Sequence, residues 1–184
     1  QKTRGEEDRD ESRRWRYGEE DRTEEGGGEK APCQEAGGEE SRMTNTAPLT
    51  RAVLDFWFLP AGAYRPEWFR KDDAFDAAIH GQFGAGVEAA LAGTEPAAVS
   101  DEDVLARILL LDQFTRNIFR GTPRAFAGDA QALQIAESLV AAGRDKNLTP
   151  WQRWFAYLPF EHSESLLQQE RSVALFSALA REMR

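Results

Sequence analysis

Asp112, Gln113, Arg116, Asn117 and Arg120 fall within nine positions of LARILLLDQFTRNIFRG, residues 105–121, a stretch that opens as the most hydrophobic run of the chain. Two guanidinium groups in an apolar setting need anionic partners, because an unpaired buried charge is strongly destabilising. Such a pair can grip a carboxylate or a phosphate through bidentate hydrogen bonds. Asp112 and Arg116 stand at i, i+4 and can satisfy one another. Arg120 and Asn117 are left seeking acceptors, for which Asp129, Glu161 and Glu164 are candidates within the chain and a ligand anion is another. A second polar run, YLPFEHSES at 157–165, sets His162 beside Glu161 and Glu164. Here His162 can be a general base, a ring held by a carboxylate, or a surface residue.

On a helical wheel with Asp112 at the origin, the five polar residues share about 140° of arc. Leu105, Ala106, Leu109 and Leu110 occupy the same arc one half-helix earlier. That alignment predicts a half-buried stripe rather than a solvated face. Two roles fit it: a buried network tying this helix to the segment around PFEHSE, or a network that also lines a ligand site.

Other chemistries find less support. His80 is the only other histidine and no HExxH or Glu-x-x-His spacing occurs, so a metal centre lacks its ligands. Ser163 has no nucleophile-elbow glycines around it. GAGVEAALAG places Gly84 and Gly86 in a helical pattern without a preceding strand, which fails the context of a phosphate loop. Phe56, Trp57, Phe58, Trp68 and Phe69 read as core, since no basic patch accompanies them. A net charge of −9 and the lack of a basic helix face argue against nucleic acid. No cofactor is implied.

The elements that must position these residues are all helical by periodicity. The pattern predicts helices from about Leu49 to Phe58, Asp73 to Leu91 (where Phe75, Ile79, Phe83, Val87 and Leu91 recur at four-residue spacing), Ser100 to Gly121, and Asp129 to Ala142. A short aromatic helix starts at Pro150 and is kinked or ended by Pro159. The last, roughly Ser163 to Arg184, has Leu166, Val173, Phe176 and Leu179 on one side. Helices of this length joined by short loops predict an all-α antiparallel helical-hairpin array.

Residues 1–42 differ from the rest. They contain no Val, Ile, Leu, Phe or Met and carry 9 basic against 14 acidic residues. This composition predicts a disordered acidic extension, and Met43 reads as the start of the working protein, with 43–184 as the domain. At the other end SALAREMR is helix without a cap, which predicts a domain continuing further. No apolar run reaches the ~18 residues of a membrane span. The single Cys33 permits no internal disulfide, so a cytoplasmic setting is expected.

VLDFWF, WFRKDDAFDAAIHGQF, ILLLDQFTRNIFRGTPRAFAGDAQAL and RWFAYLPFEHSESLLQQERSVALF together resemble the bacterial family called domain of unknown function 924. The likeness runs from Val53 to about Leu179. It implies an all-α fold similar to the tetratricopeptide-like superfamily, and no established activity. The motif positions correspond to Asp55, Phe56, Trp57, Asp112, Gln113, Arg116, Asn117, Arg120, Asp129, His162, Ser163 and Glu164. Thr115 stands where the family usually has proline, which is expected to straighten the helix there. Family members continue past Arg184 into a segment rich in His, Arg and Phe.

The leading expectation is therefore a domain that binds a small anionic molecule or an acidic peptide in a groove of Arg116, Asn117, Arg120 and His162, flanked by Gln113 and Asp129. An enzyme acting on an anionic metabolite is the alternative, with Arg116 and Arg120 as clamp and His162 as acid or base, oriented by Glu164 or Asp112. A third reading assigns the network to fold specification alone.

Overall fold

Three of the helices begin where a side chain caps their first turn. The computed structural model describes residues 47–183, so the acidic extension 1–42 lies outside the described residues. After α1 (Ala47–Trp57) come two 3-10 turns, Pro60–Gly62 and Pro66–Trp68. The Asp72 carboxylate then accepts from the Ala74 and Phe75 amides, each at 3.0 Å, and opens α2 (Asp73–Ala92). Gly93 ends α2 at φ 65°, in the left-handed region where a Cβ is disfavoured.

Ser100 and Asp103 form a reciprocal capping box at the start of α3. This helix runs from Asp101–Ile108 through a π-helical segment, Leu109–Phe114, into a final turn, Thr115–Ile118. Short 3-10 turns at Pro123–Phe126 and Arg144–Asn147 flank α4 (Asp129–Ala141). Thr149 and Gln152 make a second capping box for α5 (Pro150–His162), and α6 spans Leu166–Glu182. All regular structure among the described residues is helical.

The apolar run that opened the sequence reading becomes the centre of the molecule. α3 packs against α1, α2, α4 and α5, and Leu105, Ile108, Leu109, Leu110, Leu111 and Phe114 are buried. Around it, Trp57 lies within 6 Å of the Phe75, Phe114 and Phe155 ring centres, so four helices meet in one aromatic layer. Phe69 is the member of the expected aromatic core that stays outside, at 55% exposure.

Three expectations are corrected. First, α5 does not end at Pro159, a buried residue, but continues to His162. Second, α3 stops at Ile118, three residues before Gly121, because Phe119 leaves helical geometry at φ −105°, ψ 24°. Third, Leu166 and Val173 face outward on α6, at 74% and 67% exposure. α6 packs chiefly on α5, so one narrow side carrying Leu179 and Phe176 is covered. Thr115, which stands where proline was expected, keeps helical geometry at φ −58°, ψ −44°. Its hydroxyl donates to the Leu111 carbonyl at 2.7 Å, at the end of the widened π turn.

A second buried network escaped the sequence reading. Tyr157 donates to Asp145 at 2.5 Å and accepts from Arg153 Nε at 3.1 Å, while Arg153 also binds Glu182. Burial, reinforced by the Asp145 carboxylate, pushes the Tyr157 hydroxyl up to about 12. The network ties α5, α6 and the Arg144–Asn147 turn together.

The α3 cap carries a pH dependence. Burial by itself would raise the Asp103 pKa, but bonds from Thr50, the Ser100 and Val99 amides and the Ser100 hydroxyl outweigh it and hold the group at about 2 against 3.8. A depressed folded-state pKa contributes stability that is present above 3.8 and lost as pH falls toward about 2. Acid unfolding followed by circular dichroism should therefore show an Asp103→Asn variant losing less stability than wild type across that window. Equal losses in both would remove Asp103 from the acid response.

Candidate functional site

The polar stripe of α3 divides between two neighbours, and the division follows from where each residue lies relative to the helix end. Asp112 is in the π segment and fully buried. Its carboxylate accepts from three directions: Gln113 Nε2, Arg116 Nη1 at 3.2 Å and His162 Nδ1 at 2.7 Å. Gln113 is buried beside it and serves Asp112 alone among the described residues.

Arg116 turns toward α4. Its Nη1 and Nη2 form a fork on the Asp129 carboxylate at 2.8 and 2.9 Å, and Nη1 also reaches the Asp112 carbonyl at 2.7 Å. The guanidinium lies 5.4 Å from the Phe126 ring centre, which adds a cation–π contact. Its side chain is 22% exposed, and its Nε–H has no partner among the described residues. This is the arrangement a half-buried arginine requires, and it is met entirely from within the chain.

Asn117 and Arg120 face the other way, toward α2. Asn117 Nδ2 donates to Asp76 Oδ1 at 2.7 Å. Arg120 binds the same carboxylate through Nε at 2.7 Å and Nη2 at 3.0 Å. Burial would raise the Asp76 pKa, but the bonds from Arg120 and Asn117 together with the Arg120 charge hold it below the usual carboxylate range. Arg120 lies beyond the last helical residue, Ile118, so the wheel that grouped it with Arg116 does not extend to it. Asp76, one turn into α2, was missed in the sequence because nothing in its neighbourhood marks it as the partner of a residue 44 positions away.

Arg116 and His162 do share one cavity. Its volume is about 700 Å³, and Arg116, Asp129, His162 and Glu164 supply its charged and titratable lining. Phe126, Leu133 and Pro159 supply apolar wall. His162 is the last residue of α5, so the helix projects its ring to the cavity at the point where the backbone turns away at Ser163. Nδ1 is engaged by Asp112, and Nε2 has no partner among the described residues. Asp112, rather than Glu164, is therefore the carboxylate that orients the ring. Glu164 stands exposed on the cavity rim with no side-chain hydrogen bond among the described residues. Arg120, Asn117 and Gln113 do not line this cavity. Among the described residues no three His, Cys, Asp or Glu side chains are grouped closely enough to hold a metal ion.

The residue that makes this geometry possible is Gly128. A Cβ built there would stand 2.2 Å from the Leu111 carbonyl oxygen and 2.9 Å from the Leu111 carbonyl carbon and Cα. Only a glycine lets the first residue of α4, Asp129, come down beside the π turn and meet Arg116. The sequence signal was a glycine immediately before an acidic helix start, which by itself reads as an ordinary cap.

A model of the family described as "bacterial protein of unknown function (DUF924)" matches residues 53–184, a span that contains every residue of this site. The solved structure of a protein of unknown function from Agrobacterium tumefaciens is similar, at 36% sequence identity and a TM-score of 0.63, covering 73% of this chain and 75% of that one. Among curated proteins, none matches the sequence. The resemblance drawn from the motifs is thus met over most of the folded chain, and the chain belongs to the DUF924 family.

Proposed function

We propose that the cavity between α3, α4 and the end of α5 binds a small polar ligand, read by His162 Nε2. The observation that carries this reading is the 2.7 Å contact between His162 Nδ1 and the buried Asp112 carboxylate. A carboxylate on Nδ1 fixes the ring and favours a proton there, which leaves the Nε2 lone pair directed away from the protein.

The same contact supports a second reading, an enzyme in which His162 removes a proton from the ligand while Asp112 stabilises the imidazolium that forms. Arg116 would then position rather than react. The sequence argument for an anionic ligand rested on arginines in search of partners; Asp129 and Asp76 supply those partners, which leaves that argument without its premise. The helical order supports reading the domain as a tetratricopeptide-like array, since α5 lies along α6 and each of α1 and α2 packs on α3. A cytoplasmic setting is supported by the single cysteine; no described helix is long and apolar enough to cross a membrane.

The test is a thermal-shift screen of the full chain against carboxylated, phosphorylated and aminated metabolites. At least one class should raise the melting temperature of wild type by RT ln(1 + [L]/Kd) in free-energy terms. His162→Ala should lose that rise while melting only modestly lower on its own, because Asp112 keeps Arg116 and Gln113. A rise that persists in His162→Ala, or no rise with any class, removes the cavity as a site. The enzyme reading further needs turnover of the bound class that vanishes in the same variant.

A further inference from the structure

The charges that meet at this cavity are mostly negative once the ion pairs are assigned. Arg116 is the one cation of the lining, and Asp129 takes both of its Nη groups. Asp112 lies directly behind and shares Nη1. Glu164 remains on the rim with its carboxylate unengaged among the described residues. One guanidinium against three carboxylates leaves a charge of −2 with His162 neutral.

An entering carboxylate or phosphate would face that negative field and find Arg116 already bound. An entering ammonium would find the opposite: Glu164 as counter-charge and the His162 Nε2 lone pair as acceptor, in a cleft where apolar walls strengthen electrostatic selection. An ammonium donates and a neutral imidazole with Nδ1 protonated accepts, so the hydrogen-bond senses match. With no three-residue metal cluster among the described residues, an organic cation fits the donor set better than a metal ion. The Phe126, Leu133 and Pro159 wall calls for an apolar body on the same ligand.

We infer that the ligand of this cavity is a protonated amine on an apolar or aromatic body, its ammonium held between His162 Nε2 and Glu164. This rests on the ligand-binding reading above and specifies the class. The same ammonium can belong to a free amine or to the amino terminus of a peptide.

Three probes of nearly equal shape separate the charge classes: 2-phenylethylamine, 2-phenylethanol and 3-phenylpropanoate, titrated calorimetrically into the full chain at neutral pH. The amine should bind at least about tenfold more tightly than either analogue. Glu164→Gln, at an exposed position that the fold does not depend on, should weaken the amine about threefold or more. Asp129→Asn should release Arg116 and shift preference toward the carboxylate. A phenylalanyl peptide and its N-acetylated form identify the source: tighter binding of the free peptide than of the free amine, lost on acetylation, assigns the ammonium to a peptide terminus. Equal or tighter binding of the carboxylate or the alcohol by wild type would overturn the amine class while leaving the cavity a binding site. Absence of binding by all three at millimolar concentration would also overturn the amine class, while a ligand found in the thermal-shift screen would keep the cavity a binding site.

Discussion

Replacing Asp112 with alanine should be the most destabilising single change in the domain's polar network. The carboxylate is fully buried and is the common acceptor for Gln113, Arg116 and His162, which come from α3 and the end of α5. Removing it strands three donors, one of them a guanidinium whose partial burial was compensated by two carboxylates. Breaking a buried charge pair from one side costs about 3–5 kcal/mol, a large share of the stability of an ordinary domain. Urea unfolding followed by tryptophan fluorescence checks this. The midpoint should fall by 1 M or more, on the order expected for a slope of about 1–3 kcal/mol per molar urea. Asp112→Asn should cost much less, since its carbonyl oxygen still accepts from His162 and Arg116 keeps Asp129. An alanine variant with the wild-type midpoint would show that the network contributes nothing to the fold.

Gly128→Ala should be nearly as damaging, for a steric reason. The new methyl group would be driven into the Leu111 backbone, with the carbonyl oxygen at 2.2 Å, and since a Cβ is fixed by its own backbone no rotation moves it away. Either α4 withdraws from α3 or the π turn rearranges. Overpacking of this kind costs typically about 1–3 kcal/mol and here the upper end is expected, because the Cβ position is set by one main chain and the atoms it meets belong to another. Withdrawal also carries Asp129 away from Arg116, so ligand binding at the cavity should fail even in whatever fraction remains folded. The control is Gly81→Ala in α2, where nothing lies within 4 Å of an added Cβ. That change should stabilise the protein by up to about 1 kcal/mol through helix propensity. Similar midpoints for the two alanine variants would refute the close approach of α4 to α3.

The residues of the cavity were found in the sequence more readily than the contacts among them. Asp112, Arg116 and His162 stood out because charged and titratable groups inside apolar runs have to be paired. Asp129 and Glu164 were legible as acidic neighbours of those runs. Grouping Arg120 and Asn117 with Arg116 assumed one unbroken helix at 100° per residue, and the helix ends at Ile118 after a π turn. Asp76 and Gly128 gave no usable signal, since the first is one surface acid among many and the second one loop glycine among several.

What the sequence by itself determined is the set of helices and their beginnings. Caps such as Asp72, Ser100 and Thr149 act through bonds to amides two or three residues on, and apolar periodicity is equally local. Tertiary structure alone decided which carboxylate answers which cation, and so where the molecule is negative. Asp129 was one of several candidate acceptors for either arginine and Asp76 was none of them until α4 and α2 packed against α3 and brought Asp129 to Arg116 and Asp76 to Arg120. Ion pairing over tens of residues depends on how helices pack, and packing depends on single close approaches, here a glycine against a carbonyl, that no local pattern records.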